Sequence, residues 1–369
     1  MTSTGGYMVN AVVVPEIGSA PEVLELELPP VSDLEVRVKI VAAGVCHSDL
    51  SMTNGTITPQ FPVVLGHEAA GIVTEVGAGV DTVEIGAHVV LNWAAACREC
   101  WFCQTDQPWL CTAVEGVTSV PRGILADGTA AHACMGVGAF ADEVVLPARS
   151  VVPIHDEIPF DIAALMGCAV LTGLGAVRNT ASVGKGESVL VVGLGGIGLS
   201  AVIGAKAAGA DPIIAVDVSP EKEALAREVG ATHFLLSEPK LAKQVRALTD
   251  GRGADHAFDC VGAPQTIRGA WGAVRRGGRC TIVGVGRRDQ EVAFNPLELF
   301  HFSRTLTSSI YGESDPDRDM PAIADEVRTG ALDFTKLITD RIGLDGVAEA
   351  FTRMEAGHGG RSVIWLGED

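Results

Sequence analysis

The stretch ESVLVVGLGGIG, Glu187 to Gly198, decides the fold. Ser188 to Val192 is a short, apolar, β-branched run, and an alanine-rich helical pattern follows over Gly198 to Ala208. Between them stand Gly193, Gly195, Gly196, Ile197 and Gly198. In a strand-to-helix turn of this form the first glycine permits the tight bend, the second lets backbone N–H groups approach a pyrophosphate, and the last lets helix pack on strand. The N-terminus of the helix adds free N–H groups and a favourable dipole for the phosphates. Asp217 closes the next strand pattern, Pro212 to Val216, roughly 20 residues further on, where a carboxylate accepts both adenine-ribose hydroxyls and repels a 2′-phosphate. NAD is therefore expected in preference to NADP. Ser219 and Pro220 read as N-cap and first residue of a helix running to Val229.

Outward from this motif, strands and helices alternate. Strands are expected at Ala257–Asp259 and Cys280–Val285, which together predict a parallel sheet covered by helices, a doubly wound Rossmann domain. The residues before about 165 have a different texture. Val9–Val14, Leu34–Val41, Ala70–Val76 and His88–Leu91 are short β-branched runs punctuated by Gly, Pro and Asp. From Leu306 the pattern mixes again: LTSSIYG as a strand, a helix near Met320–Arg328, and a last strand over Ser362–Leu366. The expected architecture is α/β: a β-rich domain built from both chain ends (1–169 and 309–369) interrupted by a nucleotide-binding domain (170–308).

Composition narrows the function. The chain has 369 residues, 47% of them hydrophobic and 20% charged, which excludes a disordered chain. Its 27 Lys and Arg against 46 Asp and Glu leave a net charge of −19, so neither nucleic acid nor an anionic membrane is expected as partner. MTSTGGYMVN lacks the basic start and apolar run of a signal peptide and reads as a polar tail. Ser188–Ala205 is free of charge but rich in glycine, and reads as a buried strand and helix rather than a membrane span. A cytoplasmic protein is expected.

The cysteines are more specific. Cys97, Cys100, Cys103 and Cys111 form C-x2-C-x2-C-x7-C, a spacing that suits a closed, structural zinc site. An iron–sulfur cluster fits less well, because the last spacer is seven residues and Thr112, not proline, follows. Cys46 in GVCHSDL, His67 in LGHEAAG and Cys168 in GCAVLTG each read singly as buried or locally bonded residues.

Taken in order, GVCHSDL, LGHEAAGIV, the four cysteines, GCAVLTG and GLGGIG with its VD resemble the zinc-dependent medium-chain alcohol dehydrogenases, over residues 9 to 366. The resemblance implies a GroES-like catalytic domain, two zinc ions per chain and NAD. It implies that Cys46, His67 and Cys168 hold a catalytic zinc with one position open, a ligand set known for alcohol dehydrogenase. Asp49 would orient His67, Glu68 would stand behind the zinc, and Ser48 would receive the alcohol proton. His47 and Arg361 would meet the pyrophosphate, Lys222 the adenine ribose, Thr172 the nicotinamide side, and Val285 would also contact the cofactor. Trp93 would narrow the substrate pocket. Ser51 stands where many relatives carry a terminal histidine base, so the proton must leave by water or another group, with His47 one candidate. The remaining histidines (His88, His132, His155, His233, His256, His301, His358) read as structural, and Cys134, Cys260 and Cys280 as buried thiols.

The expected reaction is reversible oxidation of a primary or aromatic alcohol to an aldehyde. VVLNWAAAC, GVGAFADEV and GLGAVRNTASVG resemble the glutathione- and mycothiol-linked formaldehyde dehydrogenases, which makes an S-hydroxymethyl thiol adduct the alternative substrate. A zinc-stabilised NAD-binding protein without turnover is the reading from another class. LTSSIYG resembles the edge strand through which family members pair, so a homodimer is expected, with a tetramer as the larger possibility.

Overall fold

The computed structural model describes residues 7–114 and 120–367. Six parallel strands form the nucleotide sheet. Their spatial order is His233–Leu236, Ile213–Asp217, Val189–Val192, Ala254–Asp259, Val274–Ile282 and Thr305–Ser308. In chain order that is 3-2-1-4-5-6, with the reversal between the first and fourth strands, where dinucleotides bind at the strands' carboxyl ends. The central strand Val189–Val192 is fully buried, which explains its unbroken apolar run.

The β-rich part contains a closed barrel of Tyr7–Val14, Glu22–Leu28, Pro121–Leu125, Ala130–Ala133 and Val63–Val64. Beside it lies a mixed sheet running Val151–Pro153, His88–Leu91, Glu68–Val76, Glu35–Gly44, Arg361–Trp365 and Ile338–Ile342, with Glu143–Pro147 also paired to Glu35–Gly44. The two chain ends meet here: Val363–Trp365 pairs antiparallel with Ala42–Gly44. This pairing carries Arg361 to the strand that leads into Cys46.

Several elements differ from expectation. Residues 7–10 belong to the first strand, and residues 1–6 of the expected tail lie outside the described residues. The helix after Asp217 spans Lys222–Val229 with Glu221 at its N-cap, so Ser219 and Pro220 form a turn ahead of it; Asp217 Oδ1 accepts the Ser219 N–H at 3.0 Å and holds that turn. The strand expected over Cys280–Val285 is Val274–Ile282, and Val285 lies beyond it, exposed. The LTSSIYG strand stops at Ser308, and Tyr311–Glu313 forms a tight turn.

The largest difference is a continuous helical run, Phe160–Thr180, with π-helical turns at Met166–Val170 and Ala176–Thr180. It is the one helix among the described residues long and apolar enough to cross a membrane, and its apolar window is 94% buried inside the fold. It is a core helix, packed between the nucleotide sheet's first helix and the β-rich part, and it carries Cys168 and Thr172.

Candidate active site and metal centres

The strand Glu35–Gly44 ends at Cys46, which is the N-cap of the short helix His47–Thr53. Asp49, in the first turn, is fully buried, and its Oδ2 accepts the Cys46 N–H at 3.0 Å. Its Oδ1 accepts the Gly66 N–H at 3.1 Å and Nδ1–H of His67 at 3.0 Å. One carboxylate therefore sets both the loop bearing His67 and the tautomer of its ring, leaving Nε2 as the free lone pair. That Nε2 is buried without a hydrogen-bond partner.

The group around it could hold a metal ion. Ligand atoms of Cys46, His67, Glu68 and Cys168 all lie within 4.8 Å of one another, and all four residues are buried. Two thiols and an orphaned imidazole nitrogen make a soft, borderline donor set that suits zinc. Hydrogen bonding from Cys168, with the nearby charge of Arg361, holds Cys46 well below the usual thiol range against its burial. Burial opposes the charged form of His67, but Asp49 outweighs it and holds the ring well above its ordinary value. The same arrangement would let the ring bind a metal through Nε2.

Glu68 is buried and ion-paired to Arg361, which also donates to the Val45 carbonyl at 2.7 Å. Burial pushes the Glu68 carboxyl up to about 8, with Arg361 pulling the other way. Glu68 Oε2 and Arg361 Nε have no partner.

The second cluster lies on a half-buried lobe. Cys100 and Cys103 sulfurs are 3.6 Å apart, Cys100 and Cys111 3.9 Å, and Cys97 and Cys103 4.0 Å. A zinc–sulfur distance of about 2.3 Å gives a tetrahedral edge of about 3.8 Å, so the spacing fits. All nine cysteines are free thiols. Backbone N–H groups of Glu99 and Cys100 point at the Cys97 sulfur and lower its pKa, and those of Cys103 and Thr112 lower Cys100 to about 6. Burial and the neighbouring Cys100 raise Cys103 to about 12.

At the nucleotide turn Gly193 has φ +90°, and a Cβ on Gly198 would sit 1.8 Å from the Gly193 carbonyl oxygen. Gly195 is exposed with nothing near its missing side chain, a cradle open for close approach of a ligand to the backbone. Gly196 N-terminates the helix Gly196–Ala207 and leaves room for Arg361, whose Nε would be 2.4 Å from a Cβ there. Asp217 Oδ2 accepts the Leu194 N–H at 2.8 Å, so this acid also braces the glycine turn.

The other expected residues fall as follows. His47 is exposed, and Ser48 and Ser51 are half-buried. Thr172 is buried one turn beyond Cys168. Lys222 is buried, donates to the Gly359 carbonyl, and has its pKa lowered by burial. Its partner lies 137 residues downstream, beyond the reach of any local pattern. Trp93 is half-buried, with its ring 4.6 Å from that of Tyr311.

Two participants escaped the sequence. Cys134 is more than a core thiol: its sulfur is 3.5 Å from Asp49 Oδ1 and 3.9 Å from His67 Nδ1, and burial raises its pKa to about 12. Tyr311 is buried, and its hydroxyl donates to the Gly167 carbonyl at 2.7 Å. Burial, helped by Cys168, pushes the phenol up, so it remains a donor.

Comparison with known proteins agrees with this geometry. Residues 32–156 match the family described as the alcohol dehydrogenase GroES-like domain, and residues 196–328 that of the zinc-binding dehydrogenases. S-(hydroxymethyl)glutathione dehydrogenase of Synechocystis sp. is 36% identical over 96% of this chain and 99% of its own length. The chain belongs to the zinc-dependent medium-chain alcohol dehydrogenases. A second relative, S-(hydroxymethyl)glutathione dehydrogenase of Paracoccus denitrificans, is 37% identical over 96% of this chain and 99% of its own. Among solved structures, benzyl alcohol dehydrogenase from Acinetobacter calcoaceticus superposes with a TM-score of 0.90 at 27% identity, covering 98% of this chain and 100% of its own. A zinc-binding alcohol dehydrogenase domain protein from Burkholderia ambifaria gives 0.92 at 29%, with the same coverage. This dehydrogenase is thus an oxidoreductase that uses zinc and NAD, and its sequence sits with the formaldehyde dehydrogenase branch.

Proposed function

We propose that this dehydrogenase reversibly oxidises primary or aromatic alcohols to aldehydes. The observation that carries the reading is the buried, partnerless Nε2 of His67 converging with Cys46 and Cys168. When bound, zinc supplies a Lewis acid to the alcohol oxygen and the nicotinamide accepts the hydride. The chain's own groups do the rest. Asp49 holds the His67 ring and the Cys46 amide, so two ligands share one brace. Ser48, half-buried beside Asp49, takes the hydroxyl proton and passes it toward the nicotinamide ribose. The proton then leaves by water or by exposed His47, because Ser51 offers no base. Alcohol carbon loses a hydride and alcohol oxygen a proton, so NAD is reduced and the aldehyde released. Gly193, Gly195, Gly196, Ile197 and Gly198 hold the pyrophosphate, Asp217 and Lys222 the adenosine end, Thr172 the nicotinamide side, and Val285 also contacts the cofactor. Trp93, backed by the buried ring of Tyr311, narrows the substrate pocket and offers an aromatic face to the alcohol.

A second reading, oxidation of an S-hydroxymethyl thiol adduct, is favoured by the names of the relatives at 36% and 37% identity. NADH formation across simple and aromatic alcohols, and from formaldehyde with and without glutathione or mycothiol, separates the two. Activity confined to the thiol-containing reactions replaces the first reading by the second. The catalytic-zinc assignment itself requires two zincs per chain; one zinc with full activity in Cys168→Ser would refute it, whereas one zinc with NADH binding and no turnover on any of these substrates would leave a non-catalytic NAD-binding protein. The same proposal divides the chain at 1–169, 170–308 and 309–369. It places the enzyme in the cytoplasm, as a homodimer joined along Thr305–Ser308, the exposed edge of the nucleotide sheet.

A further inference from the structure

Three consecutive residues, Tyr311, Gly312 and Glu313, have φ of 51°, 67° and 46°. Left-handed backbone at a tyrosine and a glutamate is sterically unfavourable and persists only where the surroundings impose it. Here they do. A Cβ on Gly312 would lie 2.4 Å from the Leu171 carbonyl oxygen, and one on Gly175 2.4 Å from that of Gly312. Asn179 Nδ2 donates to the Gly312 and Glu313 carbonyls at 3.0 and 3.3 Å. The turn is thereby clamped onto the core helix Phe160–Thr180, and the clamp drives the Tyr311 side chain inward.

What the phenol reaches is specific. Its hydroxyl lies 2.7 Å from the Gly167 carbonyl and 3.4 Å from Asn92 Oδ1, while its ring packs on Trp93. Gly167 and Cys168 sit in the π-helical turn Met166–Val170, a local departure from the α ladder of the kind that recurs at functional sites. The Gly167 carbonyl belongs to the same rigid peptide plane as the nitrogen and Cα of Cys168. Fixing that oxygen fixes the base from which the Cys168 thiol projects.

We propose that the Tyr311 hydroxyl is a positioning group for Cys168, holding the third ligand of the catalytic zinc through the Gly167 peptide. The inference rests on the reading of Cys168 as a zinc ligand. It gives that ligand what Asp49 gives His67, an outer contact that fixes its direction, and outer contacts of this kind are worth about 10–100-fold in metal affinity.

The test is Tyr311→Phe in the full-length zinc-loaded enzyme, which removes one oxygen and keeps the ring. Release of each zinc to a chelator is followed with a metallochromic dye, and the catalytic site is exchanged with cobalt(II) for its thiolate charge-transfer spectrum. The catalytic zinc is expected to leave about tenfold faster or more, the structural zinc at the wild-type rate, and the cobalt band to shift. Unchanged release and spectrum, or equal acceleration of both zincs as from general loosening, overturns the proposal. A wild-type protein holding one zinc overturns the zinc-site reading and the inference with it, whereas two zincs with an unaltered Tyr311→Phe overturns the inference alone.

Discussion

Two alanine substitutions three residues apart, at Gly195 and Gly198, should separate the folding and binding roles of the nucleotide turn. At Gly198 a Cβ would lie 1.8 Å from the Gly193 carbonyl oxygen and 2.9 Å from its carbon. A carbon–oxygen contact is comfortable from about 3.3 Å, so Gly198→Ala must open helix from strand by about 1.5 Å. Overpacking of that size costs about 1–3 kcal/mol. At Gly195 the backbone has φ −77° and ψ −169°, an extended conformation open to any residue, and nothing lies within 4 Å of the added carbon. Gly195→Ala is therefore expected to fold with a stability within about 0.5 kcal/mol of wild type. Its methyl nevertheless occupies the space through which the backbone meets the pyrophosphate. NADH affinity is expected to fall at least about tenfold, about 1.4 kcal/mol. The assays are thermal melting and NADH fluorescence titration, with zinc counted in each variant. Gly198→Ala should melt lower by several degrees, at roughly 2–4 °C per kcal/mol for a domain of this size, and bind NADH weakly. Gly195→Ala should melt like wild type and bind weakly. A Gly195→Ala enzyme that titrates like wild type would refute the pyrophosphate cradle, and one that melts well below it would refute the steric argument.

Other outcomes follow from neighbouring groups. Asp217→Asn, which keeps one of the two oxygens that accept the Leu194 and Ser219 N–H groups and removes the charge, should shift preference toward NADP at least about tenfold in kcat/KM; an unchanged ratio would show that the acid does not read the ribose. Cys100→Ser should leave one zinc per chain by metal analysis and lower the melting temperature, because zinc affinity at such a site is folding free energy. Asp255 is raised by burial, but the Ser188 hydroxyl and amide and the Arg275 guanidinium outweigh this and hold it at about 2. A depressed carboxyl contributes stability above its unfolded pKa of about 3.9 and loses it as pH falls through about 2, so about 2 kcal/mol should disappear over that window. Acid melts of Asp255→Asn should be flatter there than those of wild type.

The sequence was most legible where a local pattern has one structural solution. The β-branched run into GLGGIG could only be a buried strand turning into a helix, and C-x2-C-x2-C-x7-C could close on one centre without help from the rest of the chain. His88–Leu91 and the strands around Asp217 were readable for the same reason. Illegible features depended on distant partners. The helix Phe160–Thr180 has glycines at 167, 173 and 175, which lower helix propensity, and is apolar on nearly every face because it is buried on nearly every face; no amphipathic period marks it. The burial of Lys222 was not legible because helical spacing says nothing about the Gly359 carbonyl. Tyr311, read only as part of an edge strand, and Cys134, read only as a buried thiol, gave no sign of these contacts, which lie in what the fold sets beside them.

Arg361 shows how far a correct local reading can differ from a complete one. As a cation in GGRSV it was expected at the cofactor phosphates. The antiparallel pairing of Val363–Trp365 with Ala42–Gly44 lodges its guanidinium between the zinc-site carboxylate Glu68 and the room left by Gly196. A guanidinium has five N–H donors. Some are spent on Glu68 and Val45, and the buried Nε is unpaired. A buried guanidinium held this way keeps hydrogen-bond partners on Glu68 and Val45 before any phosphate arrives, which reduces the desolvation penalty an isolated arginine would carry. On the proposed reading, a chain of net charge −19 would present this cation to an anionic cofactor because what matters there is the group beside the glycine turn and not the sum over the surface. The same residue touches the zinc side and the nucleotide side, so the C-terminal strand that carries it binds the two halves of the site into one electrostatic unit.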